Sequence, residues 1–399
     1  MNKLIYLDNA ATTKLYPEIL KEMEPYFSEY YGNPSSIYQF AQKSQKAIDL
    51  AREEIAAVIG AKPEEVYFTG GGSESDNWAL KAIADAYENK GKHIITSKIE
   101  HHAVLHTCEY LEKKGFEITY LPVNEEGFID LDELKKSIRE DTICISIMAA
   151  NNEIGTIQPI AEIGAIAREK GVFFHTDAVQ AFGHIPLSVE DMKIDMLSAS
   201  GHKIHGPKGI GFLYIRKGIK IVPYLHGGAQ ERGKRAGTHN VPGIVGMAAA
   251  ARLAKETLKG RIEKETSLRD YLIERIEKEI PFAVLNGSKS HRLPNNISFC
   301  FRFIEGESML IMLDGKGICA SSGSACTSGS LDPSHVLLAI GRPHEIAHGS
   351  LRLTLSEENT KEELDVVVEE LKKIIERLRG MSPLYEDFLQ TQTGGNSNV

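Results

Sequence analysis

With 399 residues, the chain exceeds the roughly 250–300 at which one hydrophobic core stops growing, so two lobes are expected. Its 42% hydrophobic content is that of an ordinary globular protein, and no run approaches the ~18 apolar residues of a membrane span, which argues against a membrane partner. A net charge of −9 disfavours nucleic acid, whose binding is carried by clustered Lys and Arg, and five scattered cysteines without a CxxC pair indicate neither a disulfide framework nor a zinc ribbon.

The opening MNKLIYLDNA meets Asp8 before a signal-peptide core could form, and the cysteines suit a reducing compartment, so a cytoplasmic location is expected. From residue 60 to 215, short β-branched runs alternate with helical patterns. The runs are EVYFT, KHIITS, FEITYLPV, TICISIMAA, GVFFHTD, DMLSAS and GIGFLYI. Between them lie amphipathic stretches such as NWALKAIADAYENK, HHAVLHTCEYLEKKG and AEIGAIAREKG, the last two closing on a glycine suited to cap a helix. This alternation predicts βαβ units around a mostly parallel sheet, a large α/β lobe.

After NVPGIVGM a helical pattern rich in Ala, Glu, Lys and Leu runs to about residue 280. A different texture follows: the strand NNISFCF, the helix GESMLIMLDGKG, a Ser/Gly stretch, the segment DPSHVLLAIG, the strand SLRLTL and the closing helix NTKEELDVVVEELKKIIERLRG. It predicts a smaller α+β lobe. The expected division is 15–260 for the large lobe and 1–14 with 261–385 for the small one. The polar end, 386–399, is expected to be disordered.

Three stretches carry chemistry. In VYFTGGGSESDNWALKAI (66–83) an apolar strand meets three glycines and then a helix, an arrangement that offers free N–H groups and a positive dipole end to a phosphate. It is neither G-x-G-x-x-G nor a Walker loop, and a capping box from Ser73 to Asp76 is an equal alternative. In GVFFHTDAVQAFG (171–183) a strand ends on Asp177, at the carboxyl edge where open parallel sheets bind ligands, although a helix N-cap would also explain a lone Asp. In MLSASGHKIHGPKGIGFLYI (196–215) a tight Gly/Pro turn holds Lys203 at the same rim, and partial burial there would lower its pKa from the usual ~10.4 towards Schiff-base chemistry.

Together these pieces resemble a pyridoxal-phosphate site. The series YLDNAATT, YGNPSS, SESDN, EHHAVL, NNEIGTIQPI, TDAVQA, SGHKIHGPKG, QERGKRAGTHNVPGIVGM, SSGSACTSGSLDPSHVL and SLRLTL, spanning residues 6 to 355, resembles the cysteine desulfurases of the NifS/IscS family, class-V aminotransferase type. The resemblance implies a fold-type-I pyridoxal-phosphate enzyme with a mostly parallel seven-stranded sheet. It also implies conversion of L-cysteine to L-alanine, with the sulfur passed as a persulfide to an acceptor for iron–sulfur cluster assembly or another thiolation.

By the same resemblance Lys203 would hold the cofactor aldehyde as a Schiff base and move the substrate's Cα proton. Asp177 would keep the pyridine nitrogen protonated, Gln180 would bond the ring oxygen, and His101 would lie over the ring and act in acid–base steps. Gly72, Ser73, Ser200 and His202 would hold the phosphate, joined by Thr238 from the other subunit of a homodimer. Asn152 would contact the cofactor, and Arg352, assisted by Asn33, would pair with the substrate carboxylate. Cys326 would attack the substrate sulfur and carry it outward. Its neighbours in SSGSACTSGS are all small, so moving it re-exposes little apolar surface. It would need a base or cation for ionisation, and His101 is the candidate. Ligation of a nascent iron–sulfur cluster by Cys326 at a partner interface is a further implication; no resident metal is expected. MSPLYEDF resembles the family's scaffold-docking end. Ser73 stands where the family more often has Thr, and SEENT where a Gly is common.

The other four thiols read as small buried hydrophobes, Cys144 and Cys300 within apolar runs and Cys108 and Cys319 alike. Two rivals remain: another pyridoxal-phosphate enzyme, an aminotransferase or selenocysteine lyase, and a thiol-relay or metal-binding protein built from Cys326 with His101, His102, His106, His202 and His205. His102 and His106 have zinc-like i, i+4 spacing but no HExxH acid.

Overall fold

The computed structural model describes residues 4–322 and 333–394. All seven expected runs become strands of one sheet, in the order Val66–Thr69, Gly211–Ile215, Met196–Ser200, Phe173–Asp177, Thr142–Ser146, His93–Ser97 and Glu117–Leu121. Only Gly211–Ile215 runs antiparallel to its neighbours; the remaining pairings are parallel. Four central strands are buried along their whole length, which is why they read as unbroken β-branched runs and not as alternating ones.

Successive side chains nevertheless serve opposite faces. Ile94, Cys144, Met196 and Leu213 pack with Trp78, Ile83, Val104 and Leu111 from the helices Gly72–Tyr87 and His102–Glu112. Their neighbours Ile95, Ile145, Leu197 and Phe212 join the opposite core, with Ile48 and Ile55 of Gln39–Ile59 and Ile163 of Ile160–Lys170. Gly171 takes φ 70° and caps the latter helix as expected. The helix His102–Glu112 stops short of its glycine, ending on Lys113 in the right-handed region.

The helix Val241–Glu279, about 58 Å long at ~1.5 Å per residue, joins the lobes. Its first half buries Met247 to Ala251 in the large core; its second buries Leu272, Ile273 and Ile276 in another. That second core lies against a three-stranded antiparallel sheet, Ser350–Thr354, Asn296–Phe301 and Ala283–Leu285, backed by Gly306–Asp314 and Lys361–Arg379. The N-terminal strand Ile5–Tyr6 pairs with Ile318–Cys319 of this lobe and buries Ile5 and Leu7 in its core.

The polar end behaves differently from its composition. A helix runs Pro383–Gly394 where disorder is expected from residue 386, because Phe388 sits 4.8 Å from Phe303 and 5.4 Å from Phe282, with Tyr385 5.4 Å from Phe303. Three aromatic contacts offset the ordering entropy that the polar residues alone could not.

One buried ion pair holds a long loop to the sheet. Glu231 and Arg232 both lie in the left-handed region, at φ 47° and 56°. Such backbone persists only where contacts over-determine it. Glu231 receives both Arg52 guanidinium nitrogens (2.7 and 2.8 Å), the Phe68 N–H (2.9 Å) and His239 Nε2 (2.9 Å). Burial alone would raise its pKa, but Arg52 and His239 outweigh it and hold the carboxyl at about 2. Glu231→Ala would strand the Arg52 charge in the interior, and unfolding by denaturant is expected to show a loss of about 3–5 kcal/mol. A loss within the error of a surface substitution would show that the pair anchors nothing.

Candidate active site

The strand Val66–Thr69 delivers the glycine turn to the carboxyl edge of the sheet. Gly71, at φ 149°, is the N-cap of Gly72–Tyr87, with no side chain closing the helix end, so its first N–H groups face outward. A Cβ on Gly72 would lie 2.5 Å from Val179 Cγ2, so only glycine fits this approach. The capping box between Ser73 and Asp76 does not form. Glu74 instead accepts the Gly70 N–H at 2.8 Å and pairs with Arg235, while Asp76 turns inward and is buried.

The strand Phe173–Asp177 ends beside this turn. Asp177 accepts the Val179 N–H at 2.9 Å, and burial raises its pKa to about 6. From the neighbouring strand come Ser200 and then the turn Gly201–Lys203. Lys203 Nζ donates to the carbonyls of Ala10 (2.5 Å) and Ala11 (2.7 Å), and Gln180 Nε2 donates to Ala10 O at 3.0 Å. His202 Nδ1 lies 3.2 Å from the Thr12 hydroxyl.

His101 is the N-cap of His102–Glu112. Its Nδ1 accepts the Ala103 N–H at 3.1 Å, which leaves the proton of the neutral ring on Nε2. Burial first, then the charge of Lys203 and three neighbouring imidazoles, lowers its pKa to about 4. The second lobe contributes Arg352 from Ser350–Thr354. This buried guanidinium pairs with Asp8 (3.0 Å) and donates to the Asn152 carbonyl (3.1 Å), while its buried Nε has no hydrogen-bond partner among the described residues.

These groups line one cavity of about 400 Å³. Gly72, Ser73, His101, Asn152, Asp177, Gln180, Ser200, His202, Lys203 and Arg352, ten positions singled out in the sequence, all contribute to its wall. Gly72, Ser73, Ser200 and His202 also border an adjoining cavity of about 480 Å³ with Gly70 and Gly71. Thr238 and Asn33 do not reach either cavity: both are exposed, and Asn33 Oδ1 accepts the Ser35 N–H. Cys326 lies outside the described residues.

Sequence reasoning gave no place in the site to Asp8 or to the Ala10 and Ala11 carbonyls, and it gave Asp76 only a capping role, although all four fall within quoted motifs. The metal-binding rival fares poorly. His205 stacks on Tyr16 at 4.0 Å, away from the others, and among the described residues the one group with cation-ligand spacing is Asp76, His101 and Asp177. That group shares its cavity with Lys203 and Arg352, whose charges oppose a bound cation.

The profile of the class-V aminotransferases matches residues 5–367. The chain belongs to that family. Within it, the "Cysteine desulfurase IscS" of Methanosarcina thermophila is 59% identical over 96% of this chain and 95% of its own, and that of Clostridium botulinum (strain Hall) 57% identical over 98% and 99%. A solved "NifS-like protein" superposes with a TM-score of 0.89 at 42% identity, covering 94% of this chain and all of its own. The chain therefore stands among the NifS/IscS-type cysteine desulfurases, and its two-lobed α/β fold is theirs.

His101 gives a test of the site's electrostatics. An ordinary His takes up a proton near pH 6.5, whereas buried His101 should remain neutral until about pH 4. Between those values the unfolded chain binds the proton and the folded chain does not, so this group withdraws stability as pH falls through the window. Imidazole NMR of wild type against His101→Gln should assign a resonance that does not move between pH 7.5 and 5.5; titration near 6.5 would contradict the burial argument.

Proposed function

We propose that the chain is a pyridoxal-phosphate-dependent cysteine desulfurase that converts L-cysteine to L-alanine and passes the sulfur, through a persulfide on Cys326, to an acceptor for iron–sulfur cluster assembly or another thiolation. The observation that carries the reading is the meeting of Asp177, Lys203, Arg352 and Gly72 and Ser73 of the glycine turn around one cavity. The donor set fits the cofactor. An uncapped helix start whose glycine excludes a Cβ suits the phosphate, an acid at a strand end suits the ring nitrogen, and an amine between them suits the aldehyde.

When bound, pyridoxal phosphate supplies an electron-withdrawing ring conjugated to the substrate's Cα. Lys203 Nζ would carry the cofactor and then move the Cα proton. Asp177 would hold the proton on the ring nitrogen, and Gln180 would bond the ring oxygen. Gly72, Ser73, Ser200 and His202 would bind the phosphate, and Asn152 would contact the cofactor. His101, neutral near pH 7, would accept protons over the ring. The buried guanidinium of Arg352 would take the substrate carboxylate in the two-pronged geometry that Lys cannot offer, and Asn33 would assist only from a position other than the one it holds here. L-Cysteine and the Cys326 thiol would leave as L-alanine and the Cys326 persulfide.

The flanks of the Cys326 segment support its part. Ser321 pairs with Arg352 by backbone hydrogen bonds in both directions, Ser334 bonds Glu153, and His335 Nε2 lies 3.0 Å from the Glu100 carbonyl, next to His101. Both flanks are thus fastened at the cavity rim. Phe27, Tyr31, Ile37, Tyr38 and Phe40, close in sequence, are all exposed, with Tyr31 against Phe40, and such apolar side chains suit a second copy of the chain. In such a homodimer Thr238 would serve the partner's phosphate. A cytoplasmic enzyme fits the free Cys108, Cys144, Cys300 and Cys319, and no described helix is long and apolar enough to cross a membrane. A scaffold protein docking near MSPLYEDF completes the proposal.

Lys203→Ala is expected to lose the borohydride-sensitive visible absorbance and to release sulfide from cysteine at least about a thousandfold more slowly. Cys326→Ala should keep the absorbance, lose desulfuration and spare any transamination. Sulfide release at the wild-type rate by Lys203→Ala, or desulfuration surviving in Cys326→Ala, would refute the reading.

A further inference from the structure

Behind Asp177 lies a second carboxyl that the reaction above does not use. Asp76, on the first turns of Gly72–Tyr87, is 1% exposed and lines the same cavity. Atoms of Asp76, His101 and Asp177, one from each, all lie within 4.8 Å of one another. Two buried carboxyls so close resist being ionised together without a cation for each.

The groups facing Asp76 provide none in contact. From the strand Phe173–Asp177 come Asp177 and His175, whose Nε2 is 3.7 Å from Asp76 Oδ1. His175 is fully buried and neutral near pH 7, its pKa lowered to about 3 by burial, and its ring nitrogens are held by Ser146 (2.9 Å) and Ser198 (3.0 Å). From Met196–Ser200 comes only the Ser198 hydroxyl. The segment before His102 brings Glu100, another buried acid, and neutral His101. Lys203 acts on Asp177. The pair must therefore hold a proton.

The two members are not equivalent. Asp177 accepts a backbone N–H from Val179 and feels Lys203, and both favour its ionised form. Asp76 takes one hydroxyl, that of Ser198, which favours its charge, but its buried Oδ1 has no hydrogen-bond partner among the described residues, so a charge there would be the worse solvated of the two. We infer that Asp76 is a positioning residue that holds the proton of the Asp76–Asp177 pair, leaving Asp177 as the anion at the end of the cavity. The shifts agree in direction, since burial and the charge of Asp177 raise Asp76 well above the ordinary carboxylate value.

The inference deepens the cofactor reading above and rests on it for its consequence. An anionic Asp177 keeps a ring nitrogen protonated, and a second anion at Asp76 would compete for that proton.

The full chain, labelled with 13C at aspartate side-chain carboxyls, tests the inference. Asp76→Asn and Asp177→Asn assign the two resonances in the wild type at neutral pH. Asp76 should show the chemical shift of a protonated carboxyl and Asp177 that of a carboxylate. Both ionised, or the reverse assignment, would overturn the inference, and neither result requires cofactor or turnover. Retention of pyridoxal phosphate on dialysis, read by visible absorbance, gives a second arm that does not need the assignment. Asp76→Asn, a neutral isostere of the protonated acid, should retain it as wild type does, whereas Asp76→Ala, which deletes the donor, should retain it roughly tenfold less tightly. Equal weakening by both variants would overturn the inference by showing that an anion is needed at 76. Failure of every form, wild type included, to take up pyridoxal phosphate would instead refute the cofactor reading and leave the carboxyl result standing.

Discussion

The hydrogen bonds that residues 8–13 make to both lobes organise the site. On one side Asn9 Nδ2 donates to Thr354 O at 2.8 Å and the Ala10 N–H donates to Thr354 Oγ1 at 2.8 Å. On the other side the Thr13 hydroxyl donates to His202 O at 2.9 Å and accepts the His205 N–H at 2.8 Å. Between these ties the Ala10 and Ala11 carbonyls receive Lys203, and Asp8 receives Arg352. Loss of the strap would take two carbonyl partners from the amine and the carboxylate partner from the guanidinium at once, leaving Arg352 its bond to the Asn152 carbonyl. The strap also sets the distance between the lobes, and with it the space left for a substrate.

The charges of the cavity are arranged by burial as much as by pairing. Lys203 and Arg352 are the cations of its wall, and His101 and His202 are held neutral near pH 7, their pKa values lowered to about 4 chiefly by burial. A neutral imidazole beside a lysine can take a proton that an imidazolium could not. Glu100, fully buried and raised to about 8 by burial, accepts the Ser97 hydroxyl at 2.6 Å and the Met148 N–H. It braces the loop that presents His101 without adding charge to the cavity.

Much of this was legible in the sequence, for identifiable reasons. Strands buried on both faces have to be continuous apolar runs, so the four fully buried strands declared themselves, and the partly exposed strand Glu117–Leu121 still showed by its β-branched and aromatic residues. Strand ends at the carboxyl edge placed Asp177 and Lys203, because ligand sites collect there in open sheets. Asp76 was hidden by local pattern. S-x-x-D before an apolar run reads as a capping box, but the N-cap is Gly71, which has no side chain, and Ser73 falls inside the helix. Asp8 was hidden by distance, since its partner Arg352 is 344 residues away and no local pattern encodes such a pair. The C-terminal helix was hidden because its partners, Phe282 and Phe303, lie in another part of the chain.

The described thiols bear on which sulfur could act. Cys108 and Cys144 are buried, and burial pushes both far above the ordinary thiol value. Cys300 is raised to about 11 by burial, although Asn286 and Arg342 act in the opposite sense. Cys319 is raised as well, by burial and by the acids Asp314 and Asp8. A nucleophilic sulfur needs thiolate character and access, and each of these four positions works against ionisation. The chain has five cysteines, so in the proposed reading Cys326 would be the thiol that carries the sulfur. It is also the one whose flanking residues are tied to Arg352 on one side and to the Glu100–His101 loop on the other. In the proposed reading Arg352 would clamp the substrate and His101 would accept a proton, so the two ends of the one thiol-bearing segment would be tied to both, a connection that would separate a sulfur-transferring enzyme from an aminotransferase on the same scaffold.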